Sequence, residues 1–193
     1  EIYTLSLHDA LPISIFPGGA MFPEVKRDTH ETEEPLTGNL KRYVALDYGL
    51  DMLSAHWVAI DVNGYAQVYR EYDCPDLVVG KAAQVLLSIT SDEKIDGWLA
   101  PPDLWNRRQE TGKSVAHIFS EYGINLTKVS NDIENGCMAL KEWLRVRENG
   151  KPMLTFLKDT CPIAIKSLQK IQKDKNKPNQ YSKTPHDLTH ACL

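Results

Sequence analysis

The chain has 193 residues, 42% hydrophobic and 25% charged, with a formal net charge of −4. That makeup suits one globular domain with a sizeable core and excludes disordered, fibrous and small disulfide-scaffold classes. No apolar run approaches the roughly twenty residues of a bilayer-spanning helix, and the acidic total leaves nucleic-acid binding to a local basic face rather than to the whole surface.

Thr4-Leu5-Ser6-Leu7-His8-Asp9-Ala10-Leu11-Pro12-Ile13 resembles one reading frame of a widely used sequencing-library adapter. Residues 1–15 are therefore expected to be a read-through artefact and are set apart from the fold, and a chain from a broken read is expected to stop early at its far end too. A secretory signal is not expected, because His8 and Asp9 interrupt the apolar stretch and no basic residue precedes it. Residues 17–39 hold Pro17, Gly18, Gly19, Pro23, Pro35 and Gly38 among charges. This is linker composition, an interdomain remnant, so folding is expected to begin near Leu40.

Tyr43 to Tyr48 reads as a short apolar strand, and His56 to Asp61 and Tyr65 to Tyr72 flank Asn63-Gly64, a strong hairpin turn. Three antiparallel strands follow from that arrangement. Asp76 is the expected N-cap of a helix carrying Leu77, Val78, Ala82, Val85, Leu86 and Ile89, broken at Thr90-Ser91-Asp92. Ile95 to Ala100 is the next strand, Ser114 to Tyr122 a helix stopped by Gly123, and Leu126 to Val129 a short strand. Ile133 to Val146 reads as a helix, Met153 to Leu157 as a strand, Ile163 to Ile171 as a helix and Pro178 to Pro185 as a loop. The expected fold class is α/β, a mixed sheet of antiparallel then parallel strands flanked by helices.

Asp47 ends the first strand and Asp103 lies just past Gly97-Trp98-Leu99-Ala100-Pro101-Pro102. If those strands are parallel neighbours, both carboxylates leave one sheet edge, where hard oxygen donors suit Mg²⁺ or Mn²⁺. A buried lone carboxylate at Asp47 would cost several kcal/mol unless paired or metal-bound, and Pro101-Pro102 would fix Asp103 in place. Two ions about 3.5–4 Å apart would then generate a hydroxide and stabilise the leaving 3′ oxygen. Asp51 and Asp61 read as solvated turn residues.

Gly112-Lys113-Ser114 ends like a phosphate-binding loop, but Arg107 stands where such a loop needs glycine. Ser114 reads instead as an N-cap, and Arg107, Arg108 and Lys113 as a basic rim for a backbone phosphate, with a solvated loop as the alternative. The lysines from Lys166 to Lys183 read as a solvated face. His186 and His190, four apart, lack the partners of a zinc site. Cys74, Cys137, Cys161 and Cys192 show no C-x-x-C spacing and read as reduced cytosolic thiols.

Ala45-Leu46-Asp47-Tyr48-Gly49, Ala100-Pro101-Pro102-Asp103-Leu104-Trp105, Gln109 to Ser114 and Pro185-His186-Asp187-Leu188-Thr189-His190-Ala191 together resemble the nuclease domain of a tailed-phage terminase large subunit. The likeness covers residues 36–193, within an expected domain over 40–193 that is truncated at its C-terminus. The resemblance implies an RNase H-like fold and a metal-dependent DNA endonuclease that cuts concatemeric DNA during packaging. It implies Asp47 and Asp103 as ligands of a two-metal Mg²⁺ or Mn²⁺ site, and double-stranded DNA, the portal protein and the small terminase subunit as partners. It places the protein in the cytoplasm of an infected bacterium, with no membrane role.

The family's tail runs His-Ala-Pro-Asp, whereas this chain reads His190-Ala191-Cys192-Leu193. His190 is then the inferred catalytic histidine and Asp187 the nearest substitute for the third acid. Slow or absent cutting is the expectation for this chain. Two other readings stay open: an RNase H-like recombinase or resolvase, and a catalytically silent module that grips DNA or docks on the portal.

Overall fold

The computed structural model describes residues 19–49, 51–107, 109 and 112–182. Its frame is a seven-stranded sheet built from β1 (Glu31–Thr32), β2 (Lys41–Tyr48), β3 (Met52–Ile60), β4 (Ala66–Pro75), β5 (Gly97–Ala100), β6 (Leu126–Lys128) and β7 (Leu154–Leu157). The spatial order is β1-β7-β4-β3-β2-β5-β6. β2, β3 and β4 are antiparallel, as their turn chemistry predicts, while β5, β6, β7 and β1 add in parallel. Between β3 and β4 the Asp61 carboxylate accepts from the Asn63 and Tyr65 backbone N–H groups at 2.9 and 2.8 Å. Gly64, at φ +84°, supplies the left-handed residue the turn needs.

Among the described residues five α-helices accompany the strands: α1 (Arg27–His30), α2 (Val79–Thr90), α3 (Val115–Glu121), α4 (Ile133–Leu144) and α5 (Pro162–Lys170). Strand alternation decides which helices cover which face. Val44, Leu46 and Tyr48 of β2, with Leu53, Ala55 and Trp57 of β3, pack against Ala82, Ala83 and Leu86 of α2 and Phe119 of α3. On the other face Ala66, Val68 and Phe156 meet Leu144 of α4 and Ala164, Ile165 and Leu168 of α5. Two helical layers thus sandwich the sheet.

The segment expected as linker departs from that expectation. Met21, Phe22 and Val25 are buried in the α4/α5 core, and β1 pairs with β7 through Glu31–Phe156 and Thr32–Leu157. Nε2 of buried His30 donates to Leu144 O, 2.7 Å away, which ties this segment to the end of α4. Isolated apolar residues among prolines and glycines are enough to anchor a chain that needs no regular element of its own.

The start of α2 also departs from expectation. Val78 occupies the N-cap position without a side-chain cap bond, and Asp76 sits at φ +56° in the turn leaving β4. Ser114 does cap α3, accepting from the His117 backbone N–H at 3.1 Å. Replacing Ser114 with alanine is expected to cost about 1 kcal/mol in a denaturant titration; a cost near zero would mean the cap is redundant.

Among the described residues Cys74, Cys137 and Cys161 are free thiols. Burial pushes the Cys161 thiol up to about 12, and burial likewise raises Cys137. Native protein treated with iodoacetamide at pH 8 should therefore be modified at half-buried Cys74 before Cys161, which reacts only after unfolding. Peptide mapping that finds Cys161 modified at the rate of Cys74 would contradict this. No helix among the described residues is long and apolar enough to cross a membrane.

Candidate active site

β2 and β5 are parallel neighbours, registered at Tyr43–Gly97, Val44–Trp98 and Ala45–Leu99. Their C-terminal ends form one edge, the edge at which open α/β sheets bind ligands. Asp47 is the penultimate residue of β2, and because Val44, Leu46 and Tyr48 point into the α2/α3 core, Asp47 takes the opposite face with Ala45. It is exposed, so the burial cost expected from the apolar strand does not arise.

β5 leads through Pro101, extended at φ −67° and ψ 155°, into a 3₁₀ turn over Pro102–Trp105. Leu104 is buried there and the Asn106 backbone N–H bonds Asp103 O at 2.9 Å. The backbone of Asp103 is pinned on both sides, while its side chain is exposed. The structure thus brings Asp47 and Asp103 to one edge of adjacent parallel strands.

Asp47 lines a cleft of about 550 Å³ together with Ala45, Pro101, Asp132, Leu168 and Tyr181. Asp103 is not among the residues lining it. Asp132 is a cleft carboxylate that the sequence reading passed over. Its side chain caps α4, accepting from the Asn135 backbone N–H at 3.1 Å, and that hydrogen bond holds its carboxyl below the usual range. The available signal was its place directly before the Ile133 helix.

Behind Asp47 the same sheet face is polar. Asp47 pairs with Ser54, which pairs with Asp73; His56 pairs with Glu71. Ser54 and His56 are buried, and the carboxylate oxygens of Asp73 are buried with no hydrogen-bond partner among the described residues. Glu71 accepts from the Ile163 and Ala164 backbone N–H groups, both at 2.7 Å. It therefore serves α5 as the cap that Cys161 does not provide, although burial raises its carboxyl above the ordinary value. Through this clamp β4 fixes α5, whose Leu168 forms part of the cleft wall.

Arg107 and Lys113 follow the 3₁₀ turn and line a separate niche of about 590 Å³, shared with Trp105, Ser114 and His117. An antiparallel bridge between Arg107 and Ser114 closes the loop between them. Lys113 Nζ is 2.5 Å from Glu121 Oε1, so this member of the expected basic rim is engaged within the protein. Arg108, Asp187 and His190 lie outside the described residues.

Among the described residues no group of three or more His, Cys, Asp or Glu side chains is placed to hold a metal ion. The two exposed carboxylates at the strand edge nonetheless offer the donor chemistry of a hard cation that keeps several waters, and not that of a closed zinc site.

No family model matches the chain, and no curated protein matches it in sequence. Solved structures do match. The large terminase of a thermophilic bacteriophage superposes with a TM-score of 0.69 over 86% of this chain and 42% of that one, at 16% identity. The large terminase nuclease of the thermophilic phage G20c, determined with bound magnesium, gives a TM-score of 0.55 over 82% of this chain and 84% of that one, at 12% identity. The fold is that of a phage terminase nuclease domain. The nuclease domain of g2p, the large terminase of bacteriophage SPP1, determined with bound manganese, agrees at a TM-score of 0.54, covering 84% of this chain and 89% of that one at 15% identity. The RNase H-like reading of the sheet is thereby supported, and this chain spans about two fifths of the first of these large terminases.

Proposed function

We propose that this chain is the metal-dependent endonuclease part of a phage terminase large subunit, cutting concatemeric double-stranded DNA during genome packaging. The observation that carries the reading is the placement of Asp47 at the C-terminal end of β2 and of Asp103 just past the C-terminal end of the adjacent parallel β5, in a terminase nuclease fold. The magnesium and manganese of the G20c and SPP1 nucleases favour a divalent cation here as well. Asp47 and Asp103 would hold it, with Asp187 and His190 completing the set by resemblance. Bound there as a pair, Mg²⁺ or Mn²⁺ supplies Lewis acidity for in-line phosphodiester hydrolysis.

The chain's own contribution is orientation. β2 holds Asp47 in its antiparallel ladder with β3, opposite Ser54 and two residues past the last β2–β5 pair, and Pro101-Pro102 sets the direction in which Asp103 leaves the sheet. Arg107 and Lys113 would bind backbone phosphate, giving affinity that falls steeply with salt and little sequence preference. The portal protein and the small terminase subunit remain partners implied by the family, and host cytoplasm the compartment.

Relaxation of supercoiled plasmid in Mn²⁺ or Mg²⁺, blocked by EDTA, tests the reading. Slow nicking is the expected result. DNA binding without cleavage at any concentration of either metal, even after a His-Ala-Pro-Asp tail is restored, would select the silent docking module instead, and preference for branched over linear duplex the recombinase or resolvase reading.

A further inference from the structure

Trp105, Arg107, Lys113 and His117 line the niche that follows the 3₁₀ turn, and two of these side chains, Lys113 and His117, are engaged by a carboxylate of α3. Lys113 lines both this niche and a neighbouring cleft that contains Glu121. The Glu121 carboxylate lies 2.5 Å from Lys113 Nζ and 3.4 Å from His117 Nε2, so one oxygen, Oε1, draws both groups toward itself. The short contact to Lys113 lowers the Glu121 carboxyl below its usual range, keeping it ionised at neutral pH.

All three side chains are substantially exposed, at 47%, 55% and 43% for Lys113, His117 and Glu121. An exposed pair of this kind is weak and yields to a competitor of higher charge density. Lys128 Nζ, 5.1 Å from the Trp105 ring, brings another positive charge to the same end of the sheet. A phosphate reaching the niche would therefore meet several cationic groups, with the Glu121 carboxylate, among the described residues, to displace.

We infer that Glu121 occupies the place of a DNA backbone phosphate, holding Lys113 and His117 until duplex displaces it, so that it sets the affinity and salt dependence of DNA binding. The proposal rests on the endonuclease reading for the identity of the anion. It assigns Glu121 a regulatory part that is separate from the metal-binding carboxylates.

The test is duplex binding by fluorescence anisotropy in EDTA, where no cleavage occurs, for the unaltered chain, Glu121→Gln, Lys113→Ala/His117→Ala, and the triple variant. Glu121→Gln should tighten binding about two- to five-fold at 0.1 M salt and steepen the log–log salt slope by about one. The gain should vanish in the Lys113→Ala/His117→Ala background, which separates release of these two groups from loss of a negative charge. Circular dichroism melts confirm that each variant folds. Equal gains in both backgrounds, no gain, or no duplex binding by any variant would overturn the inference. Failure of plasmid nicking even after a His-Ala-Pro-Asp tail is restored, with the binding pattern intact, would count against the endonuclease reading alone.

Discussion

Asp47→Asn is expected to lower metal-dependent plasmid nicking by about 10²- to 10³-fold, equivalent to about 3–4 kcal/mol of barrier. The substitution keeps the shape of the side chain and removes the charge on which a hard cation depends. Asp47 is exposed at the end of β2 and none of its neighbours in the apolar core is altered. Stability should accordingly stay within about 0.5 kcal/mol of the parent chain. Loss of nicking with an unchanged melt separates a site residue from a structural one, and a variant that nicks at the parent rate would remove Asp47 from the mechanism. Asp103→Asn should behave alike, because Leu104 and the Asn106 backbone bond hold its turn without the carboxylate.

The parts of this fold that could be read from the chain alone are those whose pattern is local. Asn63-Gly64 between two apolar runs determined the β3–β4 hairpin, and the Asp61 hydrogen bonds show why. Ser114 and Gly123 bracketed α3 through a side-chain cap and a residue at φ +89°. What stayed hidden depends on distant partners. β1 is two residues long and exists only because β7, more than a hundred residues later, offers it an edge. Met21 and Phe22 carry no periodicity, so their burial under α4 and α5 could not be inferred from residues 17–39 alone. Asp76 resembled a cap by position, yet a left-handed turn after β4 uses it instead.

The site shows the same division. The two aspartates were legible as positions, since one closes an apolar strand, the other follows one, and the strands are parallel neighbours. Their surroundings were not. Whether Asp47 would be buried depended on where the helices stop, and Asp132 enters its cleft only because α4 begins at that wall. The link between Lys113 and Glu121 spans the whole of α3, a separation at which composition alone says nothing about contact.

Trp57→Ala is expected to be the most damaging single change to stability. The side chain is fully buried between β3 and α2, where it packs with Leu86 and the alanines of that helix. Removing a buried tryptophan of this kind costs about 3–5 kcal/mol through lost transfer energy and the cavity left behind. Its indole N–H also donates to Thr90 Oγ1 at 3.1 Å, and Thr90 is itself buried at the end of α2. The Arg70 guanidinium sits 5.5 Å from the indole and 5.4 Å from the Tyr69 ring, while its Nη2 bonds Glu93 at 2.5 Å. Burial, with the hydrogen bond to Glu93 second, pushes the Tyr69 phenol upward, so Tyr69 stays a neutral donor to Glu93 at 2.7 Å. The indole therefore supports one side of a stacked cation whose other contacts cross from β4 to the loop after α2. A drop in Tm of about 6–20 °C is the corresponding shift for a domain of this size. Trp57→Phe, which retains most of the ring and loses the bond to Thr90, should cost about 1–3 kcal/mol. If the alanine variant lost less than the phenylalanine variant, packing against α2 would not be what Trp57 supplies. Below its melting temperature Trp57→Ala should still nick DNA, because Trp57 does not line the cleft that Asp47 enters.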